Sequence, residues 1–317
     1  MAACGHMVKS LVVDAVNDQH DLLCALDHCG VIQKVDLRCW GYDMTLFHRI
    51  LDTQPLLRDL TLTLNGACAR SITTSFIDGI ISKTSLLESL NLHCLVLQGS
   101  PVSWALICDL IDACPSLRYL GLSGIKLLRS GYEALLPQIQ SLSVSDVHFG
   151  HDDIAFLLRT MPNLKTLDLQ LYKTTENVFK IINVNEGSSP LIDKLPCLTT
   201  LRVSARWQHL TELCRFIEAC CPSIRNLDLR DECKFVRRGD MLRLKDHFKQ
   251  SGITLRRFAI DYEPDSYIED WVRRILEECC PQLQELRIGS GLYFFSKCQD
   301  MPYRWRKTGV FHDRSLP

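Results

Sequence analysis

Three branched or aromatic apolar residues at positions x, x+3 and x+5 return eleven times along the 317-residue chain. Clear copies read Leu117-Arg-Tyr-Leu120-Gly-Leu122, Leu164-Lys-Thr-Leu167-Asp-Leu169, Ile224-Arg-Asn-Leu227-Asp-Leu229 and Leu283-Gln-Glu-Leu286-Arg-Ile288. The middle residues are Leu11, Val35, Leu60, Leu90, Leu120, Leu142, Leu167, Leu201, Leu227, Phe258 and Leu286, separated by 22 to 34 residues. A recurrence at roughly 20 to 50 residues marks a stack of supersecondary units, none of which buries its apolar face alone.

Within a unit, the last two apolar residues alternate with polar ones, as a short half-buried strand requires. The intervening side chains must face the other way, because successive residues of a strand point to opposite faces. A polar or Gly-containing turn follows, then apolar residues at helical spacing, such as Trp104, Ile107, Leu110 and Ile111. Proline ends that pattern at Cys114-Pro115, Met161-Pro162, Leu195-Pro196, Cys221-Pro222 and Cys280-Pro281, always five residues before the middle apolar position. Proline cannot continue a helix and pushes the residue before it out of the α region, so helix end and strand start are locked in register.

The predicted architecture is therefore α/β: a repeat solenoid, or horseshoe, with parallel strands on the concave face and helices on the convex face. Residues 1–290 are expected to form one elongated domain of about eleven irregular units, which overrides the length prior of two compact domains. The longest step holds Asn183-Val-Asn-Glu-Gly-Ser-Ser-Pro190, which reads as a polar insertion on one face. Residues 291–317 leave the repeat. Tyr293 to Phe295 are expected to cap the last unit, and the basic and aromatic stretch from Tyr303 to be a loose tail.

The fragment Cys-Pro-x-Leu-x-x-Leu-x-Leu, and whole units such as His151 to Leu169 and Leu244 to Leu255, resemble irregular leucine-rich repeats of the ribonuclease-inhibitor-like class. Among these they are most similar to the repeat regions of F-box proteins, especially fungal ones. That resemblance implies a leucine-rich-repeat fold and substrate recognition for an SCF-type ubiquitin ligase, with a Skp-type adaptor and a cullin as partners. An F-box is a helical segment ahead of the repeats, and the first repeat here begins within ten residues of Met1. Adaptor docking would then need an F-box supplied elsewhere, lost or truncated.

Composition narrows the function classes. Net charge is −1, so no global field draws the chain to nucleic acid or membrane. No apolar run approaches membrane-span length, no secretory signal core opens the chain, and no Asn-x-Ser/Thr sequon occurs. The expected location is cytoplasmic, nuclear or both. Of the 16 cysteines none forms a Cys-x-x-Cys pair, and Cys220-Cys221 and Cys279-Cys280 precede prolines at helix ends. Small buried thiols suit such positions. Phosphate-loop, nucleophile-elbow, His-Glu-x-x-His and dinucleotide fingerprints are absent from the sequence. His148-Phe-Gly-His151-Asp-Asp153 has metal-ligand composition, while Asp152 and Asp153 equally suit the opening turn of a helix, where carboxylates meet free N–H groups.

What remains is the polar row of the strands: Asp36/Arg38, Thr61/Thr63, Asn91/His93, Gly121/Ser123, Ser143/Ser145, Asp168/Gln170, Arg202/Ser204, Asp228/Arg230, Ala259/Asp261 and Arg287/Gly289. Its middle is small and neutral, and its C-terminal half alternates acid and base. Trp40, Tyr172 and Trp207 follow three strands and either rim this surface as interface anchors or cover the edge of the stack. Residues 234–249 are basic and 261–278 acidic, on successive helical faces where they are expected to pair in solvent. The sequence thus predicts a non-enzymatic protein-interaction scaffold without cofactor or metal. Its expected protein-binding residues are Trp40, Tyr172, Arg202, Trp207, Asp228, Arg230, Asp261 and Arg287. An enzyme or enzyme regulator using a metal or Cys/His site near His148 to Asp153 is the alternative.

Overall fold

The structure, a computed structural model, describes residues 8–14, 29, 31–39, 49, 51–64, 80, 86–94, 100–128, 135–145, 151–170, 195–204, 210–230, 238–251, 254–261, 274, 276, 278–288, 291–296 and 304–310. The chain divides into two compact units, Met1–Pro162 and Asn163–Pro317. The eleven predicted strands fall six in the first and five in the second.

In the first unit, β1 (Ser10–Asp14), β2 (Lys34–Cys39), β3 (Asp59–Leu64), β4 (Ser89–Cys94), β6 (Tyr119–Ser123) and β8 (Ser141–Ser145) pair in that order, all parallel. Their register aligns Leu11, Val35, Leu60, Leu90, Leu120 and Leu142, each a middle residue of the sequence repeat. In the second unit, β9 (Thr166–Gln170), β10 (Thr200–Ser204), β11 (Asn226–Arg230), β12 (Arg257–Asp261) and β13 (Glu285–Ile288) are parallel and align Leu167, Leu201, Leu227, Phe258 and Leu286. Apart from Leu11, half-buried in the end strand, these residues are at most 2% exposed. Apolar residues of differing size, Val35 and Phe258 among the leucines, hold the same register position and are buried alike, so the repeat need not be exact.

Backbone hydrogen bonding repeats with the sequence. The N–H groups of Arg58 and Asp59 both donate to the carbonyl of Gln33, and those of Glu88 and Ser89 to the carbonyl of Arg58, at 2.8 to 3.0 Å. The same fork joins Arg225 and Asn226 to Thr199, and Arg256 and Arg257 to Arg225. Before the forks at Arg118, Arg225 and Gln284 the predicted proline stop is a tight turn: Leu117 N–H donates to Cys114 O at 2.9 Å, Ile224 to Cys221 and Leu283 to Cys280. Proline at the second position presets the φ this turn needs. Two further stops, Gln54-Pro55 and Leu136-Pro137, close the same turn onto Leu57 and Ile139.

Helices α1 (Trp104–Ala113) and α2 (His151–Thr160) belong to the first unit, α3 (Leu210–Cys220) and α4 (Arg238–Ser251) to the second. Helix α1 buries Trp104, Ile107, Cys108, Leu110 and Ile111 along one stripe and meets no side-chain cap at Ser103. Packing therefore holds it, with Trp104 edge-on to Phe156 of α2 at 5.6 Å between ring centroids. The sequence did not anticipate β5 (Ser100–Ser103) and β7 (Ile125–Leu128), a separate parallel pair in the first unit. Gly124, at φ 63°, turns the chain from β6 into β7, a backbone region open chiefly to glycine.

At the end of the second unit, β14 (Gly291–Ser296) runs antiparallel to β13, and β15 (Arg304–Val310) antiparallel to β14. The expectation of a loose segment from Tyr303 is thus corrected over residues 304–310. The open edge of β13 offers unpaired backbone groups, and a hairpin satisfies them.

Candidate interaction face

Strand alternation puts the polar row of each unit opposite its leucines. In the second unit one register line carries Asp168, Arg202, Asp228, Ala259 and Arg287, and the next carries Gln170, Ser204, Arg230 and Asp261. Arg230 Nη2 donates to Asp228 Oδ2 at 3.1 Å, both side chains being half-buried. Burial pushes the Asp168 carboxyl above its ordinary value, while Arg202, Arg230 and a hydrogen bond with Gln170 pull it back. Arg202 is exposed and makes no ion pair or hydrogen bond among the described residues. Arg287 is half-buried, with Nε enclosed and lacking a hydrogen-bond partner among the described residues.

The first unit presents a different face. Its lines are Asp36, Thr61, Asn91, Gly121, Ser143 and Arg38, Thr63, His93, Ser123, Ser145. Arg38 Nε and Nη2 donate to Asp36 Oδ2 at 3.1 and 3.0 Å, the same Asp-x-Arg clasp as in the second unit. Asn91 Nδ2 donates to Thr61 Oγ1 at 3.3 Å, and Asn91 Oδ1 lies over Gly121, where a Cβ would stand only 1.9 Å away. Burial lowers the pKa of His93, opposed by the Asp36 carboxylate. Beyond β2 the face carries hydroxyls, an amide and His93 and no carboxylate or guanidinium, while β1 adds Val12 and Asp14 to the two lines.

Of the predicted site residues, the structure gathers Arg202, Asp228, Arg230 and Arg287 on one face of the second unit, with Asp261 at its register position in β12. The Asp261 side chain lies outside the described residues, as do Trp40, Tyr172 and Trp207. His148 also lies outside them, and His151 to Asp153 form the first turn of α2. Sequence reasoning missed the Asp-x-Arg clasp, although a spacing of two on a strand already puts both side chains on one face. It also missed the Asn91 and Gly121 contact, which joins residues thirty apart and leaves no local signal.

The charge blocks meet as expected: Lys245 Nζ of α4 lies 2.8 Å from Glu278 Oε2, and Lys249 Nζ 3.5 Å from the same oxygen. The basic stretch is therefore partly neutralised on its own surface. Cys108, Cys114, Cys214, Cys220, Cys221, Cys279 and Cys280 are buried free thiols. Burial pushes Cys108, Cys214 and Cys280 up to about 12, which favours the protonated thiol. Among the described residues no three His, Cys, Asp or Glu side chains gather as metal ligands, and no helix is long and apolar enough to cross a membrane.

One Leu-x-x-Leu-x-Leu strand per repeat, parallel pairing in fixed register and a polar face opposite the leucines give both units the α/β fold of a leucine-rich-repeat stack. No family model and no curated protein matches the chain. Solved structures similar to it include the leucine-rich repeat-containing protein LegL7 from Legionella pneumophila, 16% identical with a TM-score of 0.44, over 78% of this chain and 91% of that one. A protein from Bacteroides fragilis is 18% identical with a TM-score of 0.46, over 82% of this chain and 65% of its own. TLR13, in its complex with ssRNA13, is 14% identical with a TM-score of 0.39, over 84% of this chain and 40% of that one. Likeness at these identities and scores carries no information on function.

Proposed function

We propose that the chain is a non-enzymatic protein-interaction scaffold whose working surface is the polar face of the second unit. The observation that carries this reading is the cluster of Arg202, Asp228, Arg230 and Arg287 on consecutive strands, with two cations lacking an ion-pair partner among the described residues. Core packing does not require charges there, and charged groups on a rigid face set the register and choice of a partner. Cys108, Cys214 and Cys280, buried and held protonated, are poor nucleophiles for an enzyme reading. The finer form, substrate recognition for a ubiquitin ligase through a Skp-type adaptor and cullin, is supported by the repeat resemblance alone.

Site-specific photocrosslinking tests the surface. A photoreactive residue at Ala259 should capture a cellular protein that one at Leu242, exposed on α4, does not. Arg202→Glu combined with the exchange Asp228→Arg and Arg230→Asp should abolish capture while leaving circular dichroism and the melting temperature unchanged. Capture from position 242, or capture lost only on deleting residues 301–317, would move the site away from this face. Skp-type adaptor and cullin peptides among the captured material would support the finer form, and their absence would remove it.

A further inference from the structure

We infer that the face of the second unit receives an extended acidic segment of its partner, with two carboxylates four residues apart engaging Arg202 and Arg287. The inference rests on the reading of that face as the binding surface and names what it recognises.

The charges on this face are not equally available. Arg230 is held by Asp228. Asp168 is hydrogen-bonded by Gln170 and sits under the fields of Arg202 and Arg230, so a cationic ligand meets little free negative charge there. Two guanidinium groups remain: exposed Arg202 on β10 and half-buried Arg287 on β13. Neither forms an ion pair among the described residues, and the Nε of Arg287 is enclosed without a hydrogen bond. Arg202 shares the Asp168 carboxylate at a distance and stays open to solvent, while the partly enclosed Arg287 is costly to hold without an ion pair; a carboxylate binds such a guanidinium fork through two charge-assisted hydrogen bonds.

Spacing then selects the ligand. Arg202, Asp228, Ala259 and Arg287 occupy one register line, so Arg202 and Arg287 are three strands apart. At about 4.8 Å per strand this is roughly 14 Å. An extended chain gains about 3.3 to 3.6 Å per residue and covers that distance in about four residues. Between them the Asp228 and Arg230 clasp is closed, and Ala259 raises only a methyl group, leaving room for a peptide backbone to cross the strands. A compact anion such as phosphate would reach one arginine and not both.

Selection from a library of random twelve-residue peptides displayed against the full chain tests this. Enriched peptides should carry Asp or Glu pairs at a spacing of four. In fluorescence anisotropy their affinity should fall roughly tenfold or more with either Arg202→Gln or Arg287→Gln. Arg287→Lys, which keeps the charge and the packed stem, should lose most of the same affinity, because it lacks the fork. That variant guards against a loss caused by unfolding. Peptides enriched without an acid pair, yet crosslinking at Ala259, would overturn the inference and keep the binding face. Peptides that crosslink only elsewhere would overturn both. A selection that enriches nothing, or binding indifferent to both Arg→Gln variants, would also overturn the inference.

Discussion

Gly121 shows how much a single side chain across the sheet decides. Its place in the repeat asks only for a polar-face residue, but Asn91 Oδ1 occupies the space a Cβ would fill. Gly121→Ala should therefore destabilise by about 1 to 3 kcal/mol, the usual cost of overpacking. Most of that should return in the double variant with Asn91→Ala, read as the coupling term of a double-mutant cycle. Additive losses would mean that Asn91 is not the obstacle. At the same scale, Cys108, Cys214 and Cys280 should resist a maleimide at pH 8 in the native protein and react once denaturant is added, because thiols near 12 supply almost no thiolate. Peptide mass spectrometry of briefly labelled protein reads this directly. Rapid native labelling at any of the three would show that burial does not protect it.

Among the elements, α4 is the least apolar of the four helices in sequence, and its partner is the acidic side of the next helical residues. Lys245 and Lys249 converge on Glu278. The hydrogen bond from Lys245 is the largest influence lowering the Glu278 pKa, and Glu278 in turn raises that of Lys245. A lowered carboxyl value contributes stability that is complete above the unfolded value of 4.5 and is lost as pH falls through the folded one. The raised ammonium value contributes stability below 10.5 that is lost as pH rises through its folded value. Protection of the α4 amides, taken as the exchange rate relative to the unstructured rate at the same pH, should thus fall below pH 4.5 in the wild type, and Glu278→Gln should flatten that dependence. Identical pH profiles would leave the clasp without effect, as many solvated ion pairs are.

At the scale of the whole molecule, stability is a sum over repeats and their neighbours. Leu120, Leu167 and Leu227 are at most 2% exposed, and each change to Ala should cost about 2 to 5 kcal/mol in chemical denaturation. Leu11 holds the same place in the repeat, yet it is half-buried in β1, beside the exposed Val12. Leu11→Ala should therefore cost clearly less than Leu120→Ala. Equal losses would imply that β1 is covered as fully as the interior strands.

The leucine positions, the strand register and most proline stops were legible in the sequence, because a repeat writes its own long-range contacts. Residues x+3 of successive units must align if their shared apolar face is to be buried, so a local spacing determines which strand positions pair. Nothing local determined the rest. The β5 and β7 pair, the hairpin on β13, the crowding of Gly121 and the unequal pairing of the face's arginines depend on which side chains arrive next to one another across strands. The sequence named Arg202, Asp228, Arg230 and Arg287 as one polar row. Only the tertiary structure decided that Asp228 closes on Arg230, leaving Arg202 and Arg287 without an ion pair among the described residues, because a salt bridge is chosen by geometry and burial, not by charge alone.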